Sequence, residues 1–286
     1  MGEVREKSVV VTGANSGIGL ATALELARVG YDVIGTARTR QKADRLHAAA
    51  AERGVELASV LLDVADEQQT RRGFEEIDGL TGGGPWAVIN NAGFAQAGAV
   101  EDVSPEEARY QLEVNLVAPA RIAQLVLPGM RARGDGRIVN VSSIAGRVSN
   151  PLTGWYGASK HALESLSDSL RMEVARFGVK VVLIEPGGFG TGIWDAGGES
   201  FPGDEGSAYA DVYARARAWT TQGGRLFDPV WVARVIRIAL ASPRPLPRYL
   251  VGVDAVGMTL TDLAPTTVTD FVKRQVLRPR GPRRGR

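Results

Sequence analysis

The sequence predicts a doubly wound α/β domain, a parallel sheet with helices on both faces. Three observations carry this expectation. Short β-branched runs alternate with segments of helical periodicity, the pattern of βαβ units. The runs are continuously apolar, as strands are when both sheet faces are covered. A glycine-rich turn joins the first run to the first helical segment, where open α/β sheets place their ligands.

Taken in order, Ser8–Val11 reads as the first strand. A helix is expected over Gly17–Gly30, with Ile18, Ala21, Leu24 and Ala27 on one face. Asp32–Thr36 reads as a second strand, Gln41–Glu52 as a helix and Leu57–Leu62 as a third strand. Trp86–Ile89 follows the Gly82–Pro85 turn as a fourth strand. A long helix is expected to start at Ser104–Glu107, a capping box with Pro105 at its first helical position. Arg137–Val141 is the fifth strand, Tyr156–Phe177 a long helix, and Lys180–Ile184 a sixth strand running into Glu185-Pro186-Gly187. Residues 187–206 are rich in glycine and polar residues, and so long an irregular stretch in a compact domain reads as a functional lid or a disordered loop. Helical patterns return over Ala208–Thr220 and Asp228–Ala241, and Arg248–Val251 is a last strand. We expect one domain over 1–272, with a lid at about 187–227 and a basic tail at 273–286.

Composition narrows the chemistry. Hydrophobic residues at 44% and charged residues at 23% suit a soluble globular domain and exclude disorder, collagen and coiled coil. The absence of cysteine excludes disulfides and thiolate catalysis. His47 and His161 have no ligand partner at helical spacing, so no metal centre is expected. No secretory signal or membrane span is readable, which points to the cytoplasm. The formal net charge of +2 includes seven lysines and arginines in 273–286, without which it is 2 − 7 = −5. A nucleic-acid role would rest on that tail alone, so none is expected; the tail reads as a solvated terminus.

The turn Thr12-Gly13-Ala14-Asn15-Ser16-Gly17-Ile18-Gly19 stands between strand and helix, where free N–H groups suit a pyrophosphate. Gly13 allows the tight turn, Gly17 a close approach of backbone to phosphate, and Gly19 close contact of helix and strand. The spacing is G-x3-G-x-G and not the commoner G-x-G-x-x-G. Together with Asn90-Asn91-Ala92-Gly93, Asn115, Ser143, Tyr156-x-x-x-Lys160 and Pro186-Gly187, this turn resembles the short-chain dehydrogenase/reductase family. The motifs run in the family's order over roughly residues 7–192, about two thirds of the chain.

The resemblance implies a Rossmann-type domain that binds a nicotinamide cofactor. Gly13, Asn15, Ser16, Gly17, Ile18 and Gly19 would hold its pyrophosphate. Asn90, Ala92 and Gly93 would shape the adenosine and ribose floor. Pro186, Gly187, Phe189 and Thr191 would lie at the nicotinamide, Thr191 being readable also as a plain loop residue. Asp63-Val64 matches the family's adenine contact, with a helix cap as the other reading of Asp63. NADP(H) is expected over NAD(H). Ala37 stands where NAD-specific members carry Asp, and Arg38 follows it with a guanidinium suited to a 2′-phosphate. Arg40 and Lys42 add positive charge nearby or are plain surface residues.

Tyr156 and Lys160, four apart, share a helix face. Carbonyl reduction needs an acid at the developing alkoxide, and a phenol with a reference pKa near ~10 serves only if its phenolate is favoured. A neighbouring ammonium does that. By resemblance Tyr156 is the acid/base, and Lys160 also binds the nicotinamide ribose. Ser143, thirteen residues before the tyrosine, orients the carbonyl, with Ser142 pointing elsewhere. Asn115 holds a proton-supplying water, or is an ordinary helix residue. His161 adjoins Lys160 but sits about 100° round the helix and reads as structural.

Phe94, Trp155, Phe189, Ile193, Trp194, Phe201, Tyr209, Tyr213 and Trp219 fall in or near the loops above the sheet. Those that are not core would suit a lipophilic ketone or alcohol. The carboxyl-terminal segment has a weak resemblance to retinol- and steroid-type members, and bacterial ketoreductases fit equally. The family commonly forms dimers or tetramers, so a homo-oligomer is expected. A non-redox cyclase or epimerase on this scaffold, or an NADP(H)-binding sensor without turnover, are the competing readings.

Overall fold

The computed structural model describes residues 7–189, 206–221, 227–253, 255, 257, 259 and 264–276. The strands are β1 (Ser8–Val11), β2 (Asp32–Ala37), β3 (Ala58–Leu61), β4 (Ala87–Asn90), β5 (Gly136–Val141), β6 (Val179–Pro186) and β7 (Arg248–Val251). They form one seven-stranded sheet in the order β3-β2-β1-β4-β5-β6-β7. Every pairing is parallel, from Val9 opposite both Val33 and Ala87 to Ile184 opposite Tyr249. The strand order reverses between β1 and β4, so the connections leaving these two strands run in opposite directions and open a crevice at their carboxyl ends.

Helices cover both faces because each strand presents alternate residues to opposite sides. Val9 and Val11 face one layer and Val10 the other. The first layer is α1 (Gly17–Arg28), α2 (Arg40–Glu52) and, from the carboxyl-terminal part, α8 (Val230–Ala241). Leu26, Leu46, Val232, Ile236 and Leu240 close over the sheet here. Glu25 of α1 also accepts from Arg237 of α8 at 2.9 Å. The opposite layer holds α3 (Glu67–Thr81), α4 (Pro105–Leu112), α5 (Ala118–Arg133) and α6 (Gly154–Val174), with Phe74, Ile77, Ile122, Met130 and Val174 inside.

Two elements depart from the sequence expectation. The helix α3, which the sequence reading did not anticipate, buries Thr70, Gly73, Phe74 and Ile77 at helical spacing. Only two of those four are large and apolar, so the stripe is thin and hard to read. Its start is nevertheless marked by Asp66, whose carboxylate accepts from the Gln69 amide at 2.9 Å. The long helix expected from Ser104 does begin there, with both halves of the capping box formed. It does not run on as one α-helix, because residues Glu113–Val117 form a π-helical turn between α4 and α5.

Beyond β6, Phe189 bridges to Phe227. The helix α7 (Ala210–Thr221) follows the described residues 206–209, and α9 (Thr266–Lys273) lies after β7. No helix among the described residues is long and apolar enough to cross a membrane. Because Leu26 is fully buried in the layer that joins α1 to the sheet, Leu26→Ala should cost about 3 kcal/mol of stability. Urea unfolding checks this: the midpoint should fall with the slope unchanged.

Candidate active site

The crevice begins with a staple between β1 and β4. The Thr12 hydroxyl accepts from the amides of Asn91 at 3.0 Å and Ala92 at 2.9 Å, while Asn91 Nδ2 donates to the Thr12 carbonyl at 2.9 Å. The chain then turns at Gly13, whose φ of +63° favours glycine. A Cβ on Gly19 would stand 2.3 Å from the Gly13 carbonyl oxygen, so only glycine lets α1 close onto the turn. Ser16 is the extended N-cap of α1, and its side chain makes no capping hydrogen bond. The first-turn amides of α1 are thus left to an anion, which helix N-termini attract. Asn15 and Ile18 are half-buried on either side of Ser16. This cradle fits a dinucleotide pyrophosphate.

The end of β2 carries a second anion-attracting group. Ala37 is buried and Arg38 is exposed immediately after it. The Lys42 ammonium is pulled down, first by partial burial and then by the like charges of Arg38 and Arg45, with Asp63 opposing. These cations are close enough to repel one another, and a bound phosphate would relieve that repulsion. Asp63 is not the helix cap: Asp66 is, and Asp63 Oδ1 accepts from the Ala65 amide at 3.0 Å in the turn before α3. Val64 is buried, and its carbonyl accepts from Arg121 at 3.0 Å. Asn90 is buried at the end of β4 and donates to Asn140 at 2.8 Å, which leaves its Oδ1 without a partner. Ala92 and Gly93 follow, and a Cβ on Gly93 would lie 3.0 Å from Asn115 Oδ1.

The π-helical turn explains Asn115. One added residue in a helical turn rotates the side chains that follow it, and such turns are frequent at functional sites. Asn115 is buried, accepts from the Phe94 amide at 3.2 Å, and donates to the Phe94 carbonyl at 3.0 Å and to Ser159 Oγ at 3.1 Å. Ser159 in turn donates to the Tyr156 carbonyl at 2.7 Å. Asn115 is therefore tied to the tyrosine's own helical turn. Ser159 was not singled out from the sequence, although its place three residues after Tyr156 was the available signal.

Ser143 extends from the end of β5 and accepts from the Ala145 amide at 3.1 Å. Tyr156 is buried beside it, and burial pushes the phenol up while the hydrogen bond with Ser143 draws it down. Lys160, also buried, donates to the Val141 carbonyl at 2.9 Å, with Nζ 5.8 Å from the centre of the Tyr156 ring. Burial pulls the lysine down to about 8, against the opposing charge of Glu164. Ser142 is buried with an unpartnered hydroxyl, apart from Ser143. His161 is exposed and donates from Nδ1 to the Gly157 carbonyl at 2.9 Å, off the Tyr156–Lys160 face.

Pro186 ends β6, and the Gly187 amide donates to Val251 at 2.9 Å. The Phe189 ring lies in the core, 5.6 Å from that of Phe227, so its side chain is a packing residue. Tyr213 is likewise fully buried: its hydroxyl donates to Asp102 at 2.5 Å and accepts from the Ala99 amide at 2.8 Å, anchoring α7. The Phe94 ring packs tilted against Tyr110 at 5.3 Å between centres, Tyr209 likewise against Tyr213 at 6.4 Å, and Trp155 is half-buried. Thr191, Ile193, Trp194, Phe201 and the side chain of Trp219 lie outside the described residues, as do most of the expected lid and the end of the basic tail.

A family model described as short chain dehydrogenase matches residues 7–200. The uncharacterized oxidoreductase YusZ of Bacillus subtilis (strain 168) is 38% identical over 245 residues, 82% of this chain and 84% of its own length. The crystal structure of a short-chain dehydrogenase from Streptomyces avermitilis superposes with a TM-score of 0.79 at 34% identity, covering 94% of this chain and 96% of that one. A metagenomic short-chain oxidoreductase solved in complex with NADP superposes at 0.69 and 26% identity, covering 87% and 97%. Since that match takes in the glycine cradle, the β5 serine and the Tyr156–Lys160 helix within one continuous stretch, the chain belongs to the short-chain dehydrogenases, a family of oxidoreductases.

Proposed function

We propose that this oxidoreductase moves hydride between NADP(H) and a ketone or secondary alcohol, and that the substrate is lipophilic. The observation that carries the reading is the buried meeting of Ser143, Tyr156 and Lys160 at the carboxyl end of β5. The NADP-bound metagenomic relative supports the cofactor assignment, as does the cation group at the end of β2.

In this reading the amides from Gly13 to Gly19 hold the pyrophosphate. Arg38, with Lys42 behind it, pairs with the 2′-phosphate, where a carboxylate would repel it. Asp63 and Val64 flank the adenine, Asn90, Ala92 and Gly93 form the ribose floor, and Pro186 and Gly187 meet the nicotinamide end. The bound cofactor supplies or accepts the hydride. Ser143 donates to the substrate carbonyl and aligns it. Tyr156 delivers the proton to the oxygen as negative charge develops there. The Lys160 ammonium favours the resulting phenolate, offsetting the burial that resists it. Asn115, joined to that turn through Ser159, holds the route by which the proton is restored. Phe94 and Trp155 form the apolar approach, the reason for preferring a lipophilic substrate.

Two substitutions test the assignment. Tyr156→Phe should lower kcat by at least about 100-fold while leaving NADPH affinity nearly unchanged. Steady-state oxidation of NADPH on a bulky ketone, beside fluorescence titration of the cofactor, reads both; retained turnover would remove Tyr156 from the acid role. Arg38→Asp should weaken NADPH relative to NADH by roughly tenfold to a hundredfold, the worth of a lost charge-assisted hydrogen bond. An unchanged ratio of the two dissociation constants would take Arg38 out of the phosphate site.

A further inference from the structure

One helical turn beyond Lys160 stands Glu164, the third member of a row with Tyr156 and Lys160 along one face of α6. It is buried and plays no part in the chemistry above. Three other segments converge on its carboxylate. Arg248, the first residue of β7, donates from Nε to Glu164 at 3.0 Å and approaches Glu185 of β6 at 3.3 Å. The same guanidinium reaches Asp168 of α6 at 2.5 Å, and Arg171 holds that carboxylate at 2.8 Å. Arg147, just past the Ser143 turn, pairs with Glu185 at 2.8 Å. Gly146 completes the enclosure, since a Cβ there would lie 3.0 Å from Glu164 Cγ and 2.9 Å from Ser142 Oγ. The turn carrying Ser143 thus closes directly onto Glu164.

Burying so many charges is a poor way to stabilise a fold, because apolar replacements of similar volume are often as stable. The position of the cluster gives it another use. Lys160 donates to a neutral carbonyl, and among the described residues Glu164 is the charge that opposes its desolvation. The charged and titratable groups about this pair are Tyr156 and Asp168 on α6, Arg147 after β5, Glu185 on β6 and Arg248 on β7. Glu185 is pushed up, first by its burial and then by Glu164 beside it.

We propose that Glu164, clamped by Arg248, is a positioning residue that holds Lys160 as an ammonium in its buried site and so sets the alkaline limit of turnover. Its second half rests on the reductase reading. The sign follows from the two opposing effects. Burial lowers the lysine to about 8 and the Glu164 charge works upward. Without that charge burial acts with less opposition, the ammonium is lost at lower pH, and the alkaline limb of the rate profile moves down with it.

The test uses the full chain labelled with 13Cε-lysine, which has five lysines, Lys160 being assigned by its absence in Lys160→Arg. Titrated without cofactor, Glu164→Gln should lower the Lys160 midpoint by about one pH unit, and the alkaline limb of kcat should fall in parallel. Glu164→Asp, which keeps the charge, should stay nearer the parent protein. An unchanged Lys160 midpoint in folded Glu164→Gln overturns the inference. Should that variant fail to fold because Arg248 loses a partner, Glu164→Gln with Arg248→Gln removes the pair together; the same fall is expected, and its absence again overturns the inference. A lowered midpoint in a protein family of variants whose parent oxidises no NADPH would uphold the Glu164–Lys160 coupling and overturn the reductase reading instead.

Discussion

Strands β1 and β4 lie side by side although two strands and three helices separate them in the sequence, and the connections leaving them run to opposite ends of the sheet. That divergence opens a crevice at their carboxyl ends. The Thr12 hydroxyl and the Asn91 side chain bind the two strands together at its floor. Once that staple holds, Gly13 and Gly19 bring α1 down close enough to present its free amides, and Asn90 to Gly93 fall opposite them. The proposed dinucleotide site is a consequence of topology, and its glycines are what the topology requires of the backbone.

The proposed reacting end depends on a different constraint, the exclusion of water. Tyr156 and Lys160 are both buried, and burial acts on them in opposite senses, raising the phenol and lowering the ammonium. Each is thereby pushed toward its neutral form. Other groups oppose that push. The hydrogen bond with Ser143 draws the tyrosine down and the Glu164 charge works upward on the lysine, while Arg248 and Arg147 keep the surrounding carboxylates from being left alone. The last strand, far from the cradle in sequence, is in this way connected to the centre of the site.

The strands and the start of α4 were legible because their signals are local: continuous apolar runs, and a capping box closed within four residues. The helix α3 was not, because a stripe made partly of Thr70 and Gly73 carries little apolar contrast. Neither was the π-helical turn, whose extra residue leaves no mark in a pattern of types and shows only as the inward position of Asn115. Among the aromatics, sequence alone left core and pocket open. Phe189 and Tyr213 went to the core because neighbours distant in the chain, Phe227, Ala99 and Asp102, enclose them.

By itself the sequence determined the α/β class, the order of the strands along the chain, the glycine turn and the Tyr156–Lys160 spacing, since each is set by residues a few positions apart. Tertiary structure decided the rest. It chose Asp66 over Asp63 as the cap, set Asn115 against Ser159, and gathered Glu185, Arg147 and Arg248 from three segments around the buried Glu164. Burial and long-range pairing have no local signature, because desolvation depends on what the whole fold brings around a group.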